Sequence, residues 1–320
     1  MDFKLDETQQ EIATLAADVL GRESATPWKA LGEAGLLALA VPERLGGDGL
    51  GVLETAVLLT EVGRRAVEVP ALATLALGVL PIVRYGTPEQ QDALLPLVTE
   101  QHGVLTAALS EPSRPLPSAP ETTAGPDGIS GVKINVPYAA EAHRILVSTD
   151  NGVFVVDPAQ PGVSTSDGTV RLEGAQGELL EGAEEGIRRF ALAGAAAVAD
   201  GVLAGALDLT VKHVGTRHQF GKPLATFQTA ACLVADVYIA SRTLHLAALT
   251  AAWSLDDNDL DTAAYWLAAE ALPAVHTCHH LHGGLGLDIT YPMHRYYGMA
   301  KELTRFVGGV EHRLGAIDVH

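Results

Sequence analysis

One short stretch, TRHQFGKPLATFQ at residues 216–228, crowds a guanidinium, side-chain amides and phenyl rings around a glycine. Arg217 offers a forked donor set that suits phosphate oxygens, a local attraction working against a net charge of −18. Gln219 adds a polar contact, Phe220 an apolar face and Gly221 a tight turn. The plainer reading makes Arg217 a cation at a helix end, favoured there by the dipole. A second concentration, His276, His279, His280 and His282, runs directly into Gly283-Gly284. His276 and His280 share a helix face at i, i+4, an acceptable pair of metal ligands. No HExxH pattern or nearby carboxylate completes such a site, which leaves partner contact or helix capping.

These residues need elements to hold them. Residues 1–102 read as a helical domain. Asp6 caps a first helix whose apolar positions are Ile12, Leu15, Ala16 and Leu20. A second helix runs through PWKALGEAGLLAL and ends before Pro42, and VPERLGGDGLG is a loop. Further helices cover LETAVLLTEVGRR, PALATLALGVLPIVRYG and GTPEQQDALLPLVTE, the last with Thr87 as cap and Pro88 at its first position. Residues 103–187 read as a small, shortened β domain: SGVKINV alternates, and RILVST and GVFVVD are β-rich runs split by Asp150, Asn151 and Gly152. PSRPLPSAPETTAGPDG, at 112–128, reads as an irregular loop, and the acidic run Glu173 to Glu185 as a solvated linker. Residues 188–320 return to helices. The first of them carries small residues at Gly194, Ala197, Gly201 and Gly205, which let helix axes approach closely.

Composition narrows the function. Hydrophobic residues make up 48% and aromatics only 5%, a balance that favours packed helices. The 39 acidic residues against 21 basic ones make nucleic acid and anionic membranes poor partners. No apolar run reaches the roughly 20 residues of a membrane span, and MDFKLDETQQEI lacks a secretory apolar stretch. The expectation is a soluble, cytoplasmic protein in which Cys232 and Cys278 are buried free thiols rather than a disulfide.

TRHQFGKPLATFQ resembles the Arg-x-x-Phe-Gly-x-Pro-x-x-x-x-Gln pattern of acyl-CoA dehydrogenases. LGEAGLLALAVPERLGGDGLG, YGTPEQQDALLPLVTE and HLHGGLGLDITYPMHRYYGMAKELTRFVGGVEHRL are similar to further stretches of that family, so the resemblance spans nearly the whole chain. It implies a mainly α fold with an N-terminal helical domain, a small middle β domain and a C-terminal helical bundle. It also implies FAD shared across a subunit interface, contacted by Arg217, Gln219, Phe220 (against the adenine), Phe227, Gln228, His280, Gly283 and Gly284. At position 280 the histidine replaces a glutamine usual in the family.

The same resemblance exposes what is missing. The family abstracts a proton beside a thioester with a glutamate in one of two places, which here correspond to Val307 and to about Ala191. Neither accepts a proton; Glu311, Glu184 and Glu185 are the carboxylates nearest in sequence. The backbone N–H of Val307 is left as a donor for a thioester carbonyl. The family's Thr-Glu-Pro and Trp-Ile-Thr become Ser110-Glu111-Pro112 and Asn135-Val136-Pro137, with a stacking surface and a hydroxyl lost. A short chain with this asymmetry resembles the smaller subunit of heteromeric actinobacterial acyl-CoA dehydrogenases that act on CoA thioesters of steroid side chains. That implies an α2β2 heterotetramer, a partner subunit that supplies the base, no catalytic residue in this chain, and electron-transfer flavoprotein as acceptor. The alternatives are a self-sufficient homo-oligomeric dehydrogenase with a displaced base and a non-catalytic protein binding CoA thioesters or another protein.

Overall fold

The computed structural model describes residues 3–22 and 24–317. The chain divides into two compact units, one of Met1–Gly21, Ala56–Glu68 and Ala195–His320, the other of Arg22–Thr55 and Val69–Gly194.

The first unit is helical. Helix α1 (Glu7–Gly21) starts at a reciprocal cap: the Asp6 carboxylate accepts from Gln9 N–H at 2.8 Å, and the Gln9 side chain accepts from Asp6 N–H at 3.1 Å. Ile12, Ala16 and Leu20 are buried as expected, but Leu15 faces solvent and Val19 takes the inward place. Beyond α2 (Pro27–Glu33) of the second unit, α3 (Val52–Arg65) runs into this unit and meets the later part of the 33-residue α6 (Glu184–Thr216). The contact is made backbone to backbone. A Cβ on Gly201 would overlap the Thr60 carbonyl oxygen, one on Gly205 the Arg64 carbonyl, and one on Gly63 the Val198 carbonyl. Around it, the Thr60 hydroxyl donates to Ala197 C=O at 3.1 Å, and the Tyr296 hydroxyl to Arg64 C=O at 2.9 Å. Arg64 pairs with Asp208 at 2.6 Å.

The second unit combines helices and strands. The helix expected through PWKALGEAGLLAL stops at Glu33, because Gly35 takes φ 80° and the chain continues as turns. A buried π-helical stretch, Leu72–Val79, continues as α4 (Leu80–Tyr85), and α5 (Pro88–Thr99) begins at a capping box made by Thr87 and Gln90. Eight strands follow: β1 (Val104–Ala108), β2 (Thr123–Gly125), β3 (Gly128–Lys133), β4 (Ala142–Thr149), β5 (Gly152–Val156), β6 (Val163–Ser166), β7 (Thr169–Ala175) and β8 (Gly177–Leu180). They form one sheet in the order β1-β4-β5-β8, parallel only at β1-β4, and an antiparallel sheet in the order β2-β3-β7-β6. Ile129, Ile145, Val147, Val156, Val170 and Leu172 fill the core of these strands. Two sequence expectations change. The acidic run is no linker: Glu173 and Glu178 are exposed positions on β7 and β8, and Glu184 opens α6. Part of the 112–128 loop is ordered as β2 by pairing with β3.

The remaining elements belong to the first unit: the hairpin β9 (His218–Gln219) and β10 (Lys222–Pro223), then α7 (Gln228–Ser254) and α8 (Asp257–Trp266). A π-helical turn, Leu267–Ala271, leads into α9 (Leu272–His282), α10 (Met293–Phe306) and α11 (Gly309–Ala316). By length and composition α6 and α7 could each cross a membrane; the most apolar window of α6 is 94% buried, that of α7 only 33%.

Gly201→Val should cost about 1–3 kcal/mol in a chemical melt, because backbone cannot yield to the added carbons. Gly298→Ala on α10, where a Cβ meets nothing within 4 Å, should be neutral or slightly stabilising. Equal losses in the two variants would contradict the backbone contact.

Candidate flavin-contacting surface

Helix α6 ends as Arg217 N–H donates to His213 C=O at 2.8 Å, and the chain reverses in a two-residue hairpin. Its turn residues, Phe220 and Gly221, both have positive φ, 51° and 80°, the left-handed pair that a tight hairpin needs. Leu224 N–H closes the loop onto Arg217 C=O at 2.8 Å. Phe220 is therefore thrust outward, 93% exposed, with an edge-to-face contact to Phe227 at 6.3 Å. Lys222 lies over the Phe227 ring at 4.4 Å. Arg217, Gln219 and Gln228 are exposed, and Arg217 has no ion pair among the described residues. The hairpin thus presents charged and amide donors to the outside.

At the end of α9, Gly283 adopts φ 57° and ψ −137°, a conformation that only glycine takes without strain. A Cβ on Gly283 or Gly284 would meet nothing within 4 Å. The Gly284 side of the turn is open for reasons that the chain's own packing does not supply. His276 and His280 are exposed, whereas His282 is buried and stacks on His213 with ring centroids 4.4 Å apart. That stack joins the helix end bearing Arg217 to the residue preceding Gly283. His276 and His279 instead approach the Tyr297 ring, at 6.4 and 6.1 Å. No group of three or more His, Cys, Asp or Glu among the described residues is placed to hold a metal ion. Both cysteines are free; Cys278 is buried, its thiol pushed up to about 11 by desolvation, but Cys232 is exposed. Burial was wrong for Cys232 because it lies on the outward face of α7.

Val307 and Ala191, the positions that the sequence resemblance aligns with the family's two glutamate sites, are fully buried apolar residues. The Val307 N–H is not available to a substrate: it donates to Leu303 C=O at 3.1 Å, closing α10. Its carbonyl accepts from Arg313 Nε at 2.5 Å, and Arg313, itself buried, reaches Asp261 at 3.2 Å. Glu311, Glu184 and Glu185 are exposed, with nothing to desolvate them as a base requires. Glu61 on α3 is held above the usual carboxylate range by burial, opposed by Arg64 and Arg65.

In the second unit, Ser110-Glu111-Pro112 has turned inward. The Ser110 hydroxyl accepts from Leu116 N–H at 3.2 Å. Glu111 accepts from Glu121 N–H at 2.7 Å, Thr122 N–H at 2.8 Å, the Thr122 hydroxyl at 2.7 Å and Lys133 Nζ at 2.8 Å. Burial alone would raise its carboxyl; these donors override it and bring the group to about 2. Lys133, buried as well, is shifted down by desolvation and partly restored by Glu111. In the other altered motif, Asn135 is exposed, Val136 is core and the Pro137 carbonyl accepts from Thr106 at 2.6 Å.

The chain matches the acyl-CoA dehydrogenase N-terminal domain over residues 6–102 and the acyl-CoA dehydrogenase C-terminal domain over residues 187–317. It is 47% identical to acyl-CoA dehydrogenase FadE28 of Mycobacterium tuberculosis, over 98% of this chain and 97% of that one. This chain belongs to the acyl-CoA dehydrogenase family. Its fold agrees with solved acyl-CoA dehydrogenases: the Tcur3481-Tcur3483 steroid ACAD G363A variant has a TM-score of 0.90 at 34% identity, covering 97% of this chain and 96% of that chain. The ChsE4-ChsE5 complex from Mycobacterium tuberculosis also has a TM-score of 0.90, at 30% identity, covering 99% and 98%. As an acyl-CoA dehydrogenase the chain is of an oxidoreductase, flavoprotein type whose cofactor is FAD.

Residues that the sequence did not single out as a unit are His213 with His282, Arg313 with Asp261, and Lys133 with Glu111. Lys133, a cation inside an alternating strand, was the one visible signal.

Glu111→Gln should cost about 3–5 kcal/mol, because it leaves the buried Lys133 charge unpaired. In the parent chain the Glu111 contribution is present above pH 4.5 and drains away as pH falls from 4.5 towards 2, since its folded value lies below its ordinary one. Acid titration of stability in parent and variant checks this; an unchanged acid limb in the variant would refute it.

Proposed function

We propose that this chain is the base-less subunit of a heteromeric flavin-dependent acyl-CoA dehydrogenase, paired with a second acyl-CoA dehydrogenase-type subunit in an α2β2 assembly. One observation supports the reading: a buried valine, its carbonyl engaged by Arg313, occupies the position that the sequence resemblance aligns with the family's glutamate. On this reading Arg217, Gln219, Phe220, Phe227, Gln228, His280, Gly283 and Gly284 contact FAD whose main pocket and catalytic glutamate belong to the partner.

The residues present fit such a group. A guanidinium without an ion pair among the described residues suits pyrophosphate oxygens, exposed Phe220 offers a face for the adenine, and the open Gly283-Gly284 turn admits close approach. The outward face of α7 supports a protein partner, since Tyr238, Ile239, Leu246 and Trp253 are exposed on it. Two similar structures are named as paired chains, and one as a steroid ACAD, which supports a heteromer and a steroid side-chain CoA thioester as substrate.

Desaturation removes a proton beside the thioester carbonyl and a hydride from the β carbon; bound FAD supplies the hydride acceptor. The work of this chain is binding and orientation. Arg217 fixes the phosphates, Gln219 and Gln228 add amide contacts, and Phe220 and Phe227 shield the purine from water. The partner's carboxylate takes the proton, electron-transfer flavoprotein takes the electrons, and the assembly is cytoplasmic. With −18 net charge, nucleic acid and anionic membranes have no part in it.

Coexpression with the partner should give a yellow complex containing about half an FAD per subunit. Arg217→Met should weaken FAD retention roughly 10- to 100-fold, the value of a charge-assisted contact. The chain purified alone should be colourless; one FAD per chain with activity would instead mean a self-sufficient enzyme. A complex that stays colourless would mean a binding protein.

A further inference from the structure

The buried histidine beside the Gly283-Gly284 turn has one ring nitrogen that is poorly satisfied. His282 is 4% exposed, and its Nδ1 lies 2.8 Å from the Cys278 carbonyl, so that nitrogen carries the hydrogen and donates. Its Nε2 is buried and makes no hydrogen bond of normal geometry among the described residues. The ring is held by stacking instead, on His213 at 4.4 Å and 26°, and against the Tyr291 ring at 5.3 Å. His213 sits in the last turn of α6, where its carbonyl receives Arg217 N–H.

We infer that the His213–His282 stack is a proton-sensitive clasp that positions the Arg217 hairpin against the Gly283-Gly284 turn. Retention of FAD on this surface then falls as the rings become charged. The inference rests on the flavin-contact reading above. Both members are positioning residues, because neither is among the side chains assigned to the cofactor.

The chemistry follows from what surrounds the pair. From α6 it is faced by His213, the Arg217 charge, the Thr210 hydroxyl and the Leu209 carbonyl; from α9 by Cys278 and His279; from beyond the turn by Tyr291. No carboxylate is among the groups acting on either ring. Burial lowers the His213 value first, and the Arg217 charge lowers it further. Burial also lowers His282, with His213 and His279 adding to it and the Cys278 and Leu209 carbonyls opposing. Two stacked imidazoles without an acid cannot both hold protons at low cost.

The sign follows. Each ring sits below its ordinary value of 6.5, so the clasp is intact above about pH 6.5 and loosens as pH falls below it. Uptake of one linked proton changes FAD affinity by up to about tenfold per pH unit.

The test uses the coexpressed complex. Flavin released into filtrate is measured by fluorescence from about pH 7.5 down to about pH 5, alongside the ring resonances of His213 and His282 in labelled protein. In the parent complex, release should rise severalfold below about pH 6.5. His282→Phe and His213→Phe, which keep a stackable ring without a proton, should retain FAD at about pH 7.5 and flatten the profile. In His213→Phe the His282 ring should titrate at higher pH than in the parent. A flat parent profile, an unchanged inflection in both variants, or independent titration of the rings at ordinary values would overturn the clasp. Such a result leaves the flavin-contact reading standing if Arg217→Met still sheds FAD. If Arg217→Met retains FAD fully at about pH 7.5, that reading fails, and the clasp's link to the cofactor fails with it.

Discussion

The helical unit depends on a contact in which two helix backbones meet where three side chains are absent. Gly63, Gly201 and Gly205 bring α3 and α6 together until carbonyl oxygens of one helix lie where a methyl group would stand on the other. Such proximity fixes position along α6 as well as distance from it, because each missing Cβ faces one particular carbonyl. The consequence appears at the far end. Arg217 is presented by a helix whose register is already set at Gly205, and two backbone hydrogen bonds, to His213 and from Leu224, tie the hairpin to the end of that helix.

Hydrogen bonding divides the chain into regions turned inward and regions turned outward. Ser110, Glu111, Pro137 and Val307, all at positions that the sequence resemblance aligns with altered family motifs, are engaged by neighbours within the chain. Arg217, Gln219 and Gln228 are left pointing into solvent.

Much of this was legible beforehand, for identifiable reasons. The caps at Asp6 and Thr87 announce themselves in sequence because the chemistry is local, and the small residues of α6 mark a close crossing. The Phe220-Gly221 turn is likewise a short-range signal. The failures are tertiary. Leu15 and Cys232 read as core residues on apolar helices, yet which arc of a helix is covered depends on neighbours far away in sequence. The acidic run read as linker because exposed strand positions and solvated loops share one composition. The Val307 N–H read as a free donor because a helix can extend one residue past its apparent end. The stacking of His213 on His282 joins residues distant in sequence and leaves no trace in spacing.

The buried lock at the end of α10 limits what position 307 can hold. Arg313, 1% exposed, donates to the Val307 carbonyl and reaches Asp261. A glutamate at position 307 would place an anion at a fully buried position whose carbonyl Arg313 already engages. A carboxylate at this position would therefore take several coordinated substitutions. The end of α10 is closed from both sides, by its own backbone and by Arg313, so any charged side chain at 307 must first displace a pair that is already satisfied.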